Sequence, residues 1–205
     1  LAFEKKKEFR LRFGQTKTPY SFDVLQSSSL RVPLDRSDAL NSGVPNERDM
    51  GAFFLFAPKK IRARFKMLAE EGLKGSGDYG VFAVGLYNGQ SANKPELNND
   101  LHAAIRLAYP FKIGRQIIEP SLQSYSGKFT IAKDKLSPGV KYRSDLTYLD
   151  QRAAASLVLF PQPFRIQAEY NIGKGPEFDA LSDSISVQKL KGGYITASFR
   201  SKILK

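Results

Sequence analysis

The sequence has no cysteine, no tryptophan and only one histidine, His102. Without cysteine there are no disulfides and no thiolate ligands, and one histidine leaves little with which to build a zinc site. A Ser/His/Asp triad has no sequence context around His102, and residues 173–176 (Gly-Lys-Gly-Pro) lack the spacing and the Lys-Ser/Thr ending of a phosphate-binding loop. We therefore expect a protein that is not an enzyme and that uses no cofactor and no metal.

Long hydrophobic runs are also absent. No stretch approaches the roughly 18 consecutive apolar residues that a transmembrane helix needs, which excludes a helical membrane protein. The mean hydropathy of −0.35 is typical of a soluble protein. A transmembrane β-barrel has a similar value, however, because half of each strand faces water.

Acidic residues are the minority among the charged ones, with 20 Asp and Glu against 32 Lys and Arg and a net charge of +12. Such a chain can meet nucleic acid, an anionic membrane surface or small anions in a channel. A nucleic-acid platform combines clustered basic residues with exposed aromatics. Here the basic residues occur singly and face away from the aromatics, so we expect no nucleic-acid partner.

What the sequence does have is strict alternation of apolar and polar residues, with arginine recurring on the polar side. The pattern runs through segments 9–13, 101–109 and 164–172. In the last of these the even positions are apolar or aromatic, and the odd positions are polar, beginning with Arg165. Successive strand residues point to opposite faces, so each segment has one apolar face and one cationic face. Strands of about 9–11 residues with this pattern are typical of a transmembrane β-barrel.

Gly, Pro and Asn clusters divide the chain into about eight predicted strands. The predicted strands are 8–14, 49–57, 78–87, 100–110, 115–131, 150–160, 164–172 and 184–200. Their connections alternate between long and short, as in outer-membrane barrels with long external loops and short periplasmic turns. The exception lies near residues 58–72, where Ile61, Phe65 and Leu68 have helical spacing between Pro58 and Gly72. We predict a short amphipathic helix there, on the periplasmic side.

Segment 15–48 is too long for an ordinary hairpin loop. One interpretation is that it folds into the barrel and narrows it; the alternative is a solvated external cap. In the first case its cations become candidates for the constriction. These candidates are Lys17, Arg31, Arg36 and Arg48.

Several short segments, taken in order along the chain, resemble sequences of the family of phosphate-selective porins, porin O and porin P. They are 11–20 (LRFGQTKTPY), 48–51 (RDMG), 79–89 with its ending LYNG, Arg106 with Pro110, and 169–176, which begins EY and ends GKGP. The resemblance implies a trimeric outer-membrane channel of about sixteen strands in the bacterial outer membrane. The fold class is then all-β, and residues 1–205 are one β-barrel porin domain that is incomplete at both ends. The implied partners are outer-membrane lipid, small anions such as phosphate, and two further copies of the chain in a homotrimer. The resemblance also favours the inward fold of segment 15–48.

Strand alternation places six arginines on the polar, lumen-facing side of the predicted barrel. These predicted anion-pathway residues are Arg10, Arg12, Arg106, Arg152, Arg165 and Arg200. Arginine stays charged and binds phosphate through a planar fork of donors, so such a lining favours passive diffusion of small hydrophilic anions. Alternatively, the arginines pair with lumen acids such as Glu169 and line a wide, unselective channel.

Six aromatics lie at or near predicted strand ends, where the aromatic girdles of a barrel sit at the membrane interfaces. They are Phe13, Tyr20, Tyr87, Tyr109, Phe160 and Tyr170. A soluble β-rich module that binds polyanions on its basic face would use the same residue types in its core. That module is the second functional hypothesis.

Overall fold

The structure is a computed structural model that describes residues 7–200. Nine strands in this part of the chain form a single antiparallel sheet in the order β1-β2-β3-β4-β6-β7-β8-β9, with β5 paired to β6. Neighbours in sequence are therefore neighbours in space. The strands are β1 Phe9–Lys17, β2 Arg48–Phe56, β3 Phe82–Tyr87, β4 His102–Ala108, β5 Phe111–Ile113, β6 Gln116–Thr130, β7 Thr147–Leu159, β8 Phe164–Asp179 and β9 Ser184–Phe199.

The two faces of the sheet differ as the alternation predicts. In β4 the side chains of His102, Ala104 and Arg106 are buried, whereas Ile105 and Leu107 between and beyond them are exposed. We call the face that bears Arg106 the inner face and the face that bears Ile105 the outer face. The outer face exposes a continuous apolar surface, whereas loops and helices cover the inner face.

Three helices lie among the described residues: α1 Phe22–Leu25, α2 Asp38–Asn41 and α3 Lys59–Glu70. The helix predicted near residues 58–72 is confirmed as α3. It buries Ile61, Phe65 and Leu68 along one side, and Gly72 follows it at φ +68, a conformation that glycine adopts without strain. Leu68 packs in a cluster with Phe22, Ile117, Val158 and Phe160, which joins α3 to α1 and to the inner face.

The helix α3 also shows that the sheet curves. At its start the Lys59 N–H donates to the Glu8 carboxylate beside β1 (2.8 Å), and after its end Arg200 beside β9 donates to the Glu71 carbonyl (3.2 Å). A helix of 12 residues is about 18 Å long, whereas eight flat strands would span roughly 34 Å. The two edges of the sheet therefore bend towards each other around α3. The sheet has the form of a barrel wall, although β1 and β9 are not paired within residues 7–200.

The structure moves several of the predicted strand boundaries. β1 continues to Lys17, which was predicted in segment 15–48, whereas β3 begins only at Phe82 and β7 begins already at Thr147. Residues 173–183 were predicted as a loop, but β8 continues to Asp179 and pairs with β9 throughout, which leaves a short turn. Pro176 is tolerated because β8 has lost its β7 neighbour beyond Lys174, so the proline lies on a strand paired on one side only. The predicted turn near residues 111–114 likewise contains the short strand β5.

Three of the six predicted girdle aromatics lie elsewhere. Phe13, Tyr109 and Tyr170 are exposed on the outer face as predicted, but Tyr20, Tyr87 and Phe160 are buried on the inner side. These three aromatics do lie near strand ends, but they pack in the hydrophobic clusters on the inner side of the sheet. Among the described residues, no helix is long and apolar enough to cross a membrane.

Candidate functional site

The segment between β1 and β2, residues 18–47, packs on the inner face of the sheet. Its Tyr20, Val24, Leu40 and Val44 are almost fully buried. They form one hydrophobic cluster with inner-face side chains of five strands, which are Phe53, Tyr87, Ala104, Tyr125 and Ala154. Burial of this apolar surface holds the segment, named here the inner loop, against the sheet.

A buried carboxylate fixes the start of α1 within the inner loop. Glu169 of β8 accepts hydrogen bonds from the backbone N–H groups of Phe22 (2.8 Å) and Asp23 (2.7 Å) and from the Ser21 hydroxyl (3.1 Å). The Tyr194 hydroxyl donates a fourth bond at 2.7 Å. Ser21 has a φ of 61, which is unusual for a residue other than glycine and costs roughly 1–3 kcal/mol. The Glu169 contacts offset that strain and satisfy the first N–H groups of the helix.

A buried ammonium fixes the other end of α1. Lys17 Nζ donates to the carbonyls of Val24, Leu25 and Gln26 at 2.9–3.2 Å, and it forms an ion pair with Glu47 at 2.8 Å. The helix therefore has an anion at its N-terminus and a cation at its C-terminus, the arrangement that its backbone polarity favours. Lys17, a predicted constriction residue, is 8% exposed and acts here as an anchor.

Further along the inner loop, two inner-face side chains hold α2 and the residues after it. Asn171 of β8 donates to the Ala39 carbonyl (2.7 Å), and Arg152 of β7 donates to the Ser42 hydroxyl (2.8 Å). The inner loop thus starts at β1, reaches β7 and β8 and returns to β2.

The predicted pathway arginines Arg10 and Arg12 meet at Asp78. Arg10 forms an ion pair with the Asp78 carboxylate (2.6 Å), and Arg12 donates to the Asp78 carbonyl (2.8 Å) and lies over the Tyr79 ring, 4.8 Å from its centroid. Arg62 of α3 pairs with the other carboxylate oxygen (2.9 Å). Two cations therefore share one carboxylate, and a third has only the backbone and a ring.

Two other predicted pathway residues, Arg106 and Arg152, are buried beside carboxylates. Arg106 and Glu119 are each 1% exposed and form an ion pair at 3.0 Å. Arg152 lies 3.5 Å from Asp150, which also accepts from the Tyr125 hydroxyl. Both arginines lie on the inner face, and the structure covers them with the helix and the inner loop.

Arg165 is buried without a carboxylate partner. Its side chain is 2% exposed and donates to Gln167, while its Nε and Nη1 atoms have no hydrogen-bond partner among the described residues. Arg31 of the inner loop has the same two atoms buried without a partner. Both guanidinium groups, together with Arg36, act electrostatically on Asp23 but form no ion pair with it. The structure thus brings Arg31, Arg36 and Arg165 together around one carboxylate.

Burial raises the pKa of the Asp23 carboxyl, and the hydrogen bond from the Ser37 N–H and the three arginines oppose that rise. Burial also raises the pKa of Tyr79 against the opposing effect of Arg12. Both groups lie outside the strands.

The remaining predicted residues are Arg36, Arg48 and Arg200, and Arg48 lies at an exposed, outward-facing position at the start of β2. Arg36 and Arg48 both form ion pairs with Glu47. Because Lys17 also pairs with it, this one carboxylate has three cationic partners. Arg200 is exposed and donates to the Glu71 carbonyl. Arg12, Arg31, Arg165 and Arg200 form no ion pair with a carboxylate in the part of the chain that the structure describes.

Sequence reasoning missed Asp78, Arg62 and Glu119. Glu119 was recognisable because it shares the inward-facing positions of its strand, but nothing marked it as the partner of Arg106. Asp78 was predicted as the first residue of strand 78–87, but it lies in the connection before β3, so its place in that strand pattern gave no indication of its role. Within residues 7–200, Glu169 does not pair with an arginine as the alternative interpretation requires, because its oxygens accept from the inner loop and from Tyr194.

An antiparallel sheet that curves like a barrel wall, with an apolar outer face and a cationic inner face crossed by a loop, defines a porin-type channel protein. A family model described as phosphate-selective porin O and P matches residues 1–202. The chain therefore belongs to the phosphate-selective porin O and P family. No curated protein and no solved structure matches the chain. The family is one of outer-membrane channels in bacteria, which indicates a channel rather than an enzyme and implies membrane lipid and phosphate or other anions as its partners.

Proposed function

We propose that this protein gives small hydrophilic anions, with phosphate as the candidate, a passive path across the outer membrane. The observation that carries the proposal is a set of inner-side arginines that have no carboxylate partner among the described residues. Glu47 and Asp78 each serve more than one cation, and Arg12, Arg31, Arg165 and Arg200 have no carboxylate partner among the described residues. A positive potential in a narrow, low-dielectric channel concentrates anions and excludes cations.

The inner-side arginines would act on anions in different ways, according to how exposed their side chains are. Arg12, Arg31 and Arg200 are at least partly exposed and would contact passing anions directly. Arg165 is buried and would act through its field, whereas Arg106 is largely neutralised by Glu119. The inner loop would narrow the path, and three copies of the chain would form the homotrimer. Membership in the porin family favours this function over a soluble polyanion-binding module.

The experiment is a charge reversal at unpaired, accessible arginines of the full-length protein in planar bilayers. Arg12→Glu and Arg31→Glu should each shift the zero-current potential under a KCl gradient towards cations. Two charge units about 8 Å from an ion in water disfavour an anion by ~1 kcal/mol and favour a cation by the same amount, so the anion-to-cation ratio should fall by roughly thirtyfold.

The matched control is Arg143→Glu in the connection between β6 and β7, where the arginine is exposed and pairs with Asp145. Its zero-current potential should equal that of the unmodified protein. If the three variants shift the potential equally, the effect belongs to overall charge and the proposed path is wrong.

A further inference from the structure

Beyond its apolar band, the outer face of β6 to β9 carries a row of polar side chains that includes lysines. Ser126, Gln151, Lys174 and Lys189 lie opposite one another on four neighbouring strands, β6 to β9. Lys191 lies next to the row, opposite Ile172. We name Lys174, Lys189 and Lys191 the outer lysine row. All three are exposed and form no ion pair within residues 7–200.

An anion bound to the row would stabilise this arrangement. Lys174 and Lys189 are direct cross-strand partners, and like charges in that position repel. Lysine on the lipid-facing side of a barrel is also costly in the apolar band and tolerated towards the interface. None of the outward-facing positions in the described strands is Asp or Glu, so this face offers no internal counter-charge.

The row lies where the apolar band ends. In β8, residues 164–172 precede Lys174 with apolar or aromatic side chains at every outward position. Nine residues of a strand tilted by ~40° rise roughly 23 Å, close to the ~25 Å apolar band of a barrel. Lys174 therefore stands at headgroup level, on the side of the sheet where the longer connections lie.

We propose that the outer lysine row binds the phosphate groups of a lipid in the outer leaflet. The row borders a groove of about 770 Å³, which is also lined by Ala153 and Ile172. Exposed apolar side chains flank the row, with Ile172 on one side and Val187 on the other. Lysines beside apolar surface fit an amphiphile with a phosphorylated headgroup. A second copy of this outer face fits less well, because it presents no carboxylate to the lysines.

The test uses the full-length protein in phosphatidylcholine vesicles with and without a minor fraction of diphosphoryl lipid A. Because a ligand that binds only the native state stabilises it, lipid A should raise the midpoint of thermal unfolding of the unmodified protein by ~2–4 °C. The triple variant Lys174→Gln, Lys189→Gln, Lys191→Gln should lose this shift. The corresponding triple Lys→Arg variant should keep it, because the charge is retained.

The matched control is the triple variant Lys133→Gln, Lys135→Gln, Lys141→Gln, which removes three exposed lysines from the connection between β6 and β7 and should keep the shift. A shift that survives in the outer-row Gln variant overturns the proposal. So does an outer-row variant that responds normally to lipid A but changes its oligomeric state, since that result assigns the row to a contact between copies.

This inference rests on the proposed channel only for the orientation of the barrel in the membrane. The lipid site and the channel function can therefore be refuted independently. The outer-row Gln variant should conduct like the unmodified protein because the row faces away from the inner side. Normal anion conductance without a lipid A shift in the unmodified protein would refute the lipid site alone. A lipid A shift without conductance would refute the channel alone.

Discussion

Arg106 and Arg165 look alike in the sequence, but the structure gives them different surroundings. Both lie on the inner face and both are almost fully buried. Arg106 faces Glu119 at 3.0 Å, whereas Arg165 has only Gln167 and leaves two of its nitrogen atoms without a partner. A buried cation without a counter-ion is costly, so stability does not explain Arg165, and we propose a functional role for it.

The first prediction follows from this difference. Arg106→Met should lower the free energy of unfolding by ~3–5 kcal/mol, because it leaves the buried Glu119 without its partner. Arg165→Met orphans no carboxylate and should change the stability by far less, while shifting the zero-current potential towards cations. Urea unfolding of the full-length protein in detergent measures the first effect. Adding Glu119→Leu to Arg106→Met should restore much of the loss, and equal destabilisation by the two single variants would contradict the assignment.

At the scale of the element, one carboxylate holds the start of α1 in the inner loop. Glu169 holds the start of α1 by three hydrogen bonds, and a bond to a charged group contributes about 1.5–3 kcal/mol. The tip of the inner loop near residues 32–35 is exposed, so an added protease can report whether the loop has come away from the sheet.

Glu169→Gln should therefore loosen the inner loop, because an amide has only one accepting oxygen and no charge. We expect cleavage by added protease within residues 27–35 to become at least about tenfold faster, the effect of ~1.4 kcal/mol. Glu177→Gln on the same strand and the same face is the matched control, since Glu177 is exposed. Equal cleavage of both variants would show that Glu169 does not hold the loop.

The sequence predicts strands and the helix well because their signals are local. Alternation identifies the outer and inner faces of β4 and β8, and helical spacing identifies α3. The path of the inner loop is not local: Ser21 and Glu169 are separated by 148 residues. The sequence predicts that Tyr20 and Tyr87 lie at strand ends. It does not predict their burial, because burial depends on where the distant inner loop packs.

At the scale of the whole molecule, charge is distributed by face. The outer face carries an apolar band with a basic rim, and the inner face carries cations that outnumber the carboxylates paired with them. Because the sheet curves around α3, its outer face becomes the outside of a barrel wall and its inner face becomes the inside. The positive interior that we propose would give a physical reason for anion preference in a protein of the phosphate-selective porin O and P family.

The most direct test of that central claim is the zero-current potential of the unmodified full-length protein in a planar bilayer under a KCl gradient, with phosphate then titrated in. The account predicts a potential that favours chloride and a current that falls as phosphate occupies the arginines. A potential near zero, with no block by phosphate, would mean that the inner-side cations are neutralised and that the channel does not select anions.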